Sequence, residues 1–224
     1  EVQVALSDLP ARAPRGPDQF RVQASVDLGG EGVIVRQVGG RALDAVSSFS
    51  GGTLFRFFAQ PALIGELGDA RYQVIAGWYS GDNPENVPMT RVVRLGVDQG
   101  SEPLLIDDFL AIPAQLAPEE GARIPDDRVL RWSLEGTHPD LWVIEIVGGD
   151  FIPVWQQFVP GDVLESPIPD FAELEGVGDI PEGIIGWTVR AIRIEDFDYN
   201  QLKYNQLFQR FWTHTSVDSF TMQR

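Results

Sequence analysis

Short apolar segments separated by turn-forming residues run along the whole chain. The clearest one alternates apolar and polar side chains over residues 20–27, FRVQASVD, and similar segments cover residues 129–134, 141–146 and 154–159. Alternation of this kind is typical of a half-buried β-strand, and none of the segments is long enough for an ordinary helix. Gly, Pro and Asp fill the intervals between them. The pattern therefore predicts an all-β chain.

The length of the chain allows two domains, and residues 107–115 are the best candidate boundary between them. The chain has 224 residues, and a new set of strand-like segments begins after residue 115. A length of this order fits two ordinary domains. We predict two tandem antiparallel β-sandwiches, one over residues 1–110 and one over 111–224. Almost no helix is expected outside short turns near residues 171–174 and 202–208.

Two segments resemble the region around strand F of immunoglobulin-like sandwiches. Residues 67–76, LGDARYQVIA, are similar to the tyrosine corner, in which a Tyr hydroxyl donates a hydrogen bond back to the preceding turn. Residues 180–191, IPEGIIGWTVRA, resemble the strand E–F region of fibronectin type III domains, with Trp187 where Tyr is usual. Tyr72 and Trp187 lie 115 residues apart. The resemblance implies an immunoglobulin-like fold for both halves and burial of both rings. It implies no particular activity.

Composition narrows the range of partners and locations. There are 33 acidic and 17 basic residues, for a net charge of −16, which disfavours binding to nucleic acid or to anionic membranes. The sequence contains no run of 18 apolar residues, so it predicts no transmembrane segment. The chain has no Cys. It opens on Glu1 rather than Met, which suggests a processed product or a trimmed piece of a longer chain. We expect an extracytoplasmic protein: secreted, periplasmic or anchored at the cell surface. Its paired sandwiches are similar to those of secreted bacterial lipoproteins.

A D-x-D-x-N pattern at Asp196, Asp198 and Asn200 is the sharpest local signal in the chain. Its spacing directs three side-chain oxygens to one side of an extended loop, as a calcium site requires. Gln201 and Leu207 stand where an EF-hand has Gly and Glu, so the loop is not an EF-hand. The alternative is a solvated turn, because Asp and Asn also favour turns. The sequence indicates no other cofactor, although Asp107 and Asp108 are a weaker candidate for holding an ion.

The number of aromatic residues suggests a second kind of binding site. Trp132 and Trp187 are expected in the core. Trp142 alternates out of phase with its apolar neighbours and is expected to face solvent, and Trp78 and Tyr79 are further candidates. An exposed ring can stack on a sugar or anchor a protein partner. The alternative is that these rings pack between the two domains or under a long loop.

Signs of catalysis are weak. The chain has two histidines, His138 and His214, and no nucleophile-elbow, zinc-protease or phosphate-loop motif. Among so many acids a pair suited to glycoside hydrolysis is always available, and the candidates carry little weight: Glu145, Asp150, Glu165 and Glu195. We expect a non-enzymatic structural or adhesion module of a bacterial surface protein that meets a protein or glycan partner. The alternative function is a carbohydrate-binding module that uses exposed aromatic rings.

Overall fold

A computed structural model of the chain describes residues 2–6, 17, 19–28, 33–38, 53–57, 64–81, 86–98, 104–106, 108–149, 152–171, 178–208 and 211–224. The elements in these ranges are β-strands and short 3-10 turns, the latter at Gly65–Leu67, Tyr199–Gln201 and Tyr204–Leu207. The prediction of an all-β chain is confirmed. One turn lies in the predicted segment 202–208, whereas residues 172–174 lie outside the described ranges. Within those ranges, no helix has the length and apolar character needed to cross a membrane.

Backbone contacts divide the chain into two compact units, Glu1–Phe109 and Leu110–Arg224. The strands described in the first unit are β1 Val2–Leu6, β2 Gln19–Asp27, β3 Val33–Val38, β4 Thr53–Phe57, β5 Arg71–Tyr79, β6 Met89–Val97 and β7 Leu104–Ile106.

Two groups of strands form the first unit. The strands β6, β5, β2 and β3 lie side by side in that order, and all their pairings are antiparallel. The other group has the order β4-β1-β7, in which β1 is antiparallel to β4 but parallel to β7. The expectation of wholly antiparallel sheets is therefore wrong at the β1–β7 pair. Apolar residues of β2, β5, β6 and β7 share one core, which includes the following side chains: Phe20, Val22, Tyr72, Val74, Trp78, Val92 and Ile106.

The second unit repeats the division into a group of three and a group of four strands. Its strands are β8 Ala114–Ala117, β9 Val129–Ser133, β10 Leu141–Val147, β11 Pro153–Pro160, β12 Glu165–Pro167, β13 Ile184–Ile194 and β14 Trp212–Gln223. The orders are β12-β9-β8 and β11-β10-β13-β14, and every named pairing is antiparallel.

The core of the second unit is built around three tryptophans. Trp132 of β9, Trp142 of β10 and Trp187 of β13 are each 1% exposed or less and belong to one apolar cluster. The cluster joins both strand groups, because β9 belongs to the group of three and β10 and β13 to the group of four. Burial of Trp187, and of Tyr72 at 2% exposure, confirms the expectation from the resemblance. The Tyr72 hydroxyl, however, has no hydrogen-bond partner among the described residues, so the corner hydrogen bond is not found there.

The strand β10 is buried on both of its faces. Trp142, Ile144 and Ile146 point into the main core, whereas Leu141 and Val143 belong to a separate cluster with Ile192, Ile194 and Trp212. Phe197, Leu207 and Phe211, from the segment that joins β13 to β14, pack against this second cluster. We call residues 195–211 the β13–β14 connection. It covers the outer face of the sheet, so that face is not open to solvent at β10.

Candidate functional site

The structure corrects the expectation that Trp142 faces solvent. Its side chain is fully buried, its indole Nε1 donates a hydrogen bond to the Gly161 carbonyl at 3.0 Å, and its ring meets the Trp132 ring edge-on with centroids 5.8 Å apart. Alternation along β10 misleads here because the β13–β14 connection buries the opposite face as well. Trp142 therefore packs inside the second unit and offers no stacking surface to a ligand.

Trp78 and Tyr79 are also buried, at 4% and 5% exposure. The Trp78 ring packs against Phe20 with centroids 4.9 Å apart. The Tyr79 ring lies 6.0 Å from the Arg21 guanidinium carbon, and its hydroxyl approaches Gly77 so closely that a Cβ there would lie 2.8 Å from it. Because Gly77 leaves room beside the backbone, Tyr79 lies over β5 instead of projecting into solvent. Neither ring is available for the glycan stacking that the sequence suggested.

The predicted calcium ligands lie in the β13–β14 connection, where they form a hydrogen-bonded turn. One Asp198 carboxylate oxygen accepts from the Asn200 backbone N–H at 2.9 Å, and the other accepts from the Gln201 side-chain amide at 2.8 Å. Asp196 adopts a φ of 53°, in the left-handed region that Asp tolerates better than most residues. Among the described residues, no three His, Cys, Asp or Glu side chains cluster as metal ligands would. Both carboxylate oxygens of Asp198 therefore accept hydrogen bonds within the turn.

The connection contains a tandem repeat, YNQL at residues 199–202 and again at 204–207. Each copy begins a 3-10 turn, the first capped by Asp198 and the second opening after Lys203. The Lys203 backbone N–H donates to the Gln206 side chain at 2.9 Å, and the Trp212 indole donates to the Gln206 carbonyl at 3.2 Å. Hydrogen bonds therefore hold both turns in a defined conformation, and the second turn also packs through the partly buried Leu207 against the cluster of Leu141, Val143 and Trp212.

The outer side of this connection presents aromatic rings to solvent. Tyr204 is 79% exposed, Phe208 53% and Tyr199 39%. The Tyr204 and Phe208 rings meet edge to face with centroids 6.0 Å apart, and Tyr199 pairs in a similar way with the anchored Phe197 at 6.4 Å. The side chains of Asn200 and Asn205, which follow the two repeated tyrosines, are exposed as well. We call Tyr199, Tyr204 and Phe208 the exposed aromatic patch. The sequence alone did not identify these residues as a candidate binding surface, although the repeated YNQL segment could have drawn attention to Tyr199 and Tyr204.

Two of the four candidate catalytic acids face basic side chains. Glu145 lies 3.5 Å from Arg190 and accepts from Gln156, and Glu165 lies 3.2 Å from Arg131. Glu195 is exposed at the start of the β13–β14 connection, while Asp150 lies outside the described residues. Of the weaker ion candidates, Asp108 is exposed and Asp107 is also outside the described ranges.

The two histidines differ in environment. His138 is exposed, and His214 is buried on β14 with its Nδ1 2.9 Å from the Thr213 hydroxyl.

One open groove of about 840 Å³ lies in the first unit, between the ends of β2 and β6 and the turn at Gly65–Leu67. Its lining includes the acidic residues Asp27, Glu66 and Asp69 and the leucines Leu67 and Leu95. Arg71 also lines the groove, and its guanidinium faces Asp98 at 3.3 Å.

The exposed aromatic patch is the strongest candidate for a binding surface in the described part of the chain. It combines exposed rings with a loop whose side chains Phe197, Leu207 and Phe211 pack against the apolar cluster on the outer face of the sheet. Comparison of the chain with models of known protein families, with curated proteins and with solved structures finds no match.

Proposed function

We propose that the chain is a pair of immunoglobulin-like β-sandwich modules from the extracytoplasmic part of a bacterial surface protein, such as a lipoprotein. In this proposal it has no catalytic role and acts as a structural or adhesion module. The β13–β14 connection contacts the partner, which is a protein or a glycan at the cell surface. The acidic composition of the chain and its lack of Cys are compatible with an extracytoplasmic location.

The strand order of the second unit supports the immunoglobulin-like part of the proposal. If β8, β9 and β10 are strands A, B and C, then β12, β13 and β14 take the places of E, F and G. The observed groups β12-β9-β8 and β11-β10-β13-β14 then correspond to sheets ABE and C′CFG. In this assignment the β13–β14 connection is the F–G loop, and loops at the ends of such sandwiches are frequent binding sites.

The single observation that carries the adhesion proposal is the exposed aromatic patch on an anchored loop. Tyr and Phe side chains contribute large contact areas with little loss of side-chain entropy, and the packing of Phe197 and Leu207 reduces the cost of ordering the loop. The alternative, a carbohydrate-binding module, would use this patch in place of Trp142, Trp78 and Tyr79.

Retention of coated beads under flow tests the proposal. Beads carrying the chain are passed over surfaces coated with mucin, collagen or fibronectin. We expect retention of the wild type on at least one surface and about ten-fold lower retention of a Tyr204→Ser/Phe208→Ser variant, the size of effect typical of central interface aromatics. The matched control is Leu116→Ser/Ile184→Ser, which removes two exposed apolar side chains from β8 and β13. Equal retention of the patch variant and the wild type would contradict the proposal.

A further inference from the structure

Carboxylates precede the exposed aromatic patch along the chain. Glu195, Asp196 and Asp198 are all exposed at the start of the β13–β14 connection, and Lys203 is its one exposed cation among the described residues. With Arg210 counted from the sequence, residues 195–211 hold three acidic and two basic side chains, a net charge of −1, which has the same sign as the net charge of −16 of the whole chain. A ligand with phosphate, sulfate or carboxylate groups would be repelled both locally and at longer range.

Aromatic rings beside carboxylates form a surface that suits Arg and Lys side chains. A guanidinium group stacks on the face of a Tyr ring while its N–H groups donate to a carboxylate. Tyr204 has the most accessible ring of the connection, and Tyr199 lies next to the Asp198 carboxylate in the chain. The exposed amides of Asn200 and Asn205 can in addition bond to a peptide backbone. Carboxylates can also accept hydrogen bonds from the hydroxyl groups of a neutral sugar, but only a cationic side chain forms ion pairs with them.

We infer that the β13–β14 connection recognises a basic segment of a partner protein, through Arg or Lys side chains that stack on Tyr204 and pair with the carboxylates of Glu195 and Asp196. This inference rests on the proposed function and adds the chemical class of the partner. The charges give specificity and speed of encounter, while the rings give the contact area.

Fluorescence anisotropy with defined peptides tests the inference on the whole chain. The probes are a labelled octapeptide that alternates glycine and arginine, the same peptide with glutamine in place of arginine, and labelled maltohexaose as a neutral glycan. We expect binding of the arginine peptide, and none of the glutamine peptide at the same concentrations. Raising NaCl from about 25 mM to about 500 mM should weaken binding, because salt screens exposed charges.

Two local variants and one distant variant separate this site from general attraction to an acidic protein. Tyr204→Ser should raise the Kd of the arginine peptide about five-fold, the upper range for an exposed cation–π contact. Glu195→Gln/Asp196→Asn removes two local charges, and Asn tolerates the left-handed backbone at position 196; we expect a loss of similar size. The control Glu119→Gln/Glu182→Gln removes two exposed charges elsewhere and should change the Kd less than two-fold.

Each outcome decides the inference. An equal loss in the local and the distant charge variants means non-specific attraction and overturns it. Binding of maltohexaose that is lost in Tyr204→Ser, without binding of the arginine peptide, overturns the basic partner but leaves the adhesion proposal standing. If neither probe binds while the bead assay still depends on Tyr204 and Phe208, the inference alone fails. If the bead assay is also insensitive to these residues, the proposed function fails with it.

Discussion

Gly161 has no room for a side chain. A Cβ at this position would overlap the carbonyl oxygen of Pro139, while the Gly161 backbone donates to Asp140 at 3.1 Å and accepts from the Trp142 indole at 3.0 Å. We expect Gly161→Ala to lower the free energy of unfolding by about 1–3 kcal/mol or more, because the backbone must shift to relieve the overlap. Urea denaturation measures the change. Gly178→Ala is the matched control, since a Cβ there meets no atom within 4 Å.

Trp187 is the central side chain of the larger core. It is fully buried among residues of both strand groups, so its removal leaves a large cavity. Trp187→Ala should cost about 3–5 kcal/mol in the free energy of unfolding. Tyr204→Ala, at a ring that is 79% exposed, should change it by less than about 0.5 kcal/mol. If thermal melting of the Trp187 variant stayed within a degree or two of the wild type, this residue would not be central to the core.

Asp127 illustrates a charge effect at the surface. The hydrogen bond from Arg131, at 2.7 Å, and a second one from the Val129 backbone lower the pKa of the Asp127 carboxyl below its usual 3.8. The pair therefore stabilises the fold above about pH 3.8, and this contribution is lost as pH falls through the lowered pKa. An NMR titration should give a value below 3.8 in the wild type. In Arg131→Gln the pKa should move back towards 3.8; an unchanged value would rule out Arg131 as the main cause.

At the level of elements, the turn around Asp198 bears on the calcium hypothesis. Both carboxylate oxygens already accept hydrogen bonds within the turn. We expect the melting temperature of the wild type to be the same in about 5 mM CaCl₂ and in EDTA, because an ion would have to displace those donors. An increase with calcium that disappears in Asp198→Asn would instead establish an ion site in this loop.

The apolar patterns of residues 20–27, 129–134, 141–146 and 154–159 predicted β2, β9, β10 and β11, but no such pattern predicted β14. The prediction succeeded at β2, where Phe20, Val22 and Val26 are buried, because one face of that strand is clearly more apolar. It failed at β14 because buried positions of that strand carry the polar side chains of Thr215, Ser216 and Asp218, which removes the contrast between its faces.

The candidate site was only partly predictable, for a related reason. The pattern of β10 is apolar on both faces, and sequence alone does not tell which segment covers the outer one. The covering segment proved to be the β13–β14 connection, which buried Trp142's neighbours Leu141 and Val143 and left Tyr204 and Phe208 outside. The orientation of the rings in this connection depends on tertiary packing.

At the scale of the whole molecule, we propose that the two units fold independently. The division falls between Phe109 and Leu110, and these neighbours belong to different cores: Phe109 packs with the first and Leu110 with the second. Fragments 1–109 and 110–224 should each give a dispersed NMR spectrum, because each has its own apolar core. A fragment that remains unfolded in isolation would indicate a single cooperative unit. A cut within β5, after Ile75, provides the control and should unfold the first unit.

The parallel pairing of β1 with β7 has a mechanical consequence. Val4, Ala5 and Leu6 stand opposite Leu104, Leu105 and Ile106, so the first and last strands of this unit run side by side in the same direction. Tension between the two ends of the unit pulls these strands along their length in opposite directions. Their hydrogen bonds are then stretched together, whereas an antiparallel pair pulled from its open end separates one bond at a time. In single-molecule pulling we expect the first unit to resist force more strongly from its termini than through Arg71 and Val97, at the open end of the antiparallel β5–β6 pair.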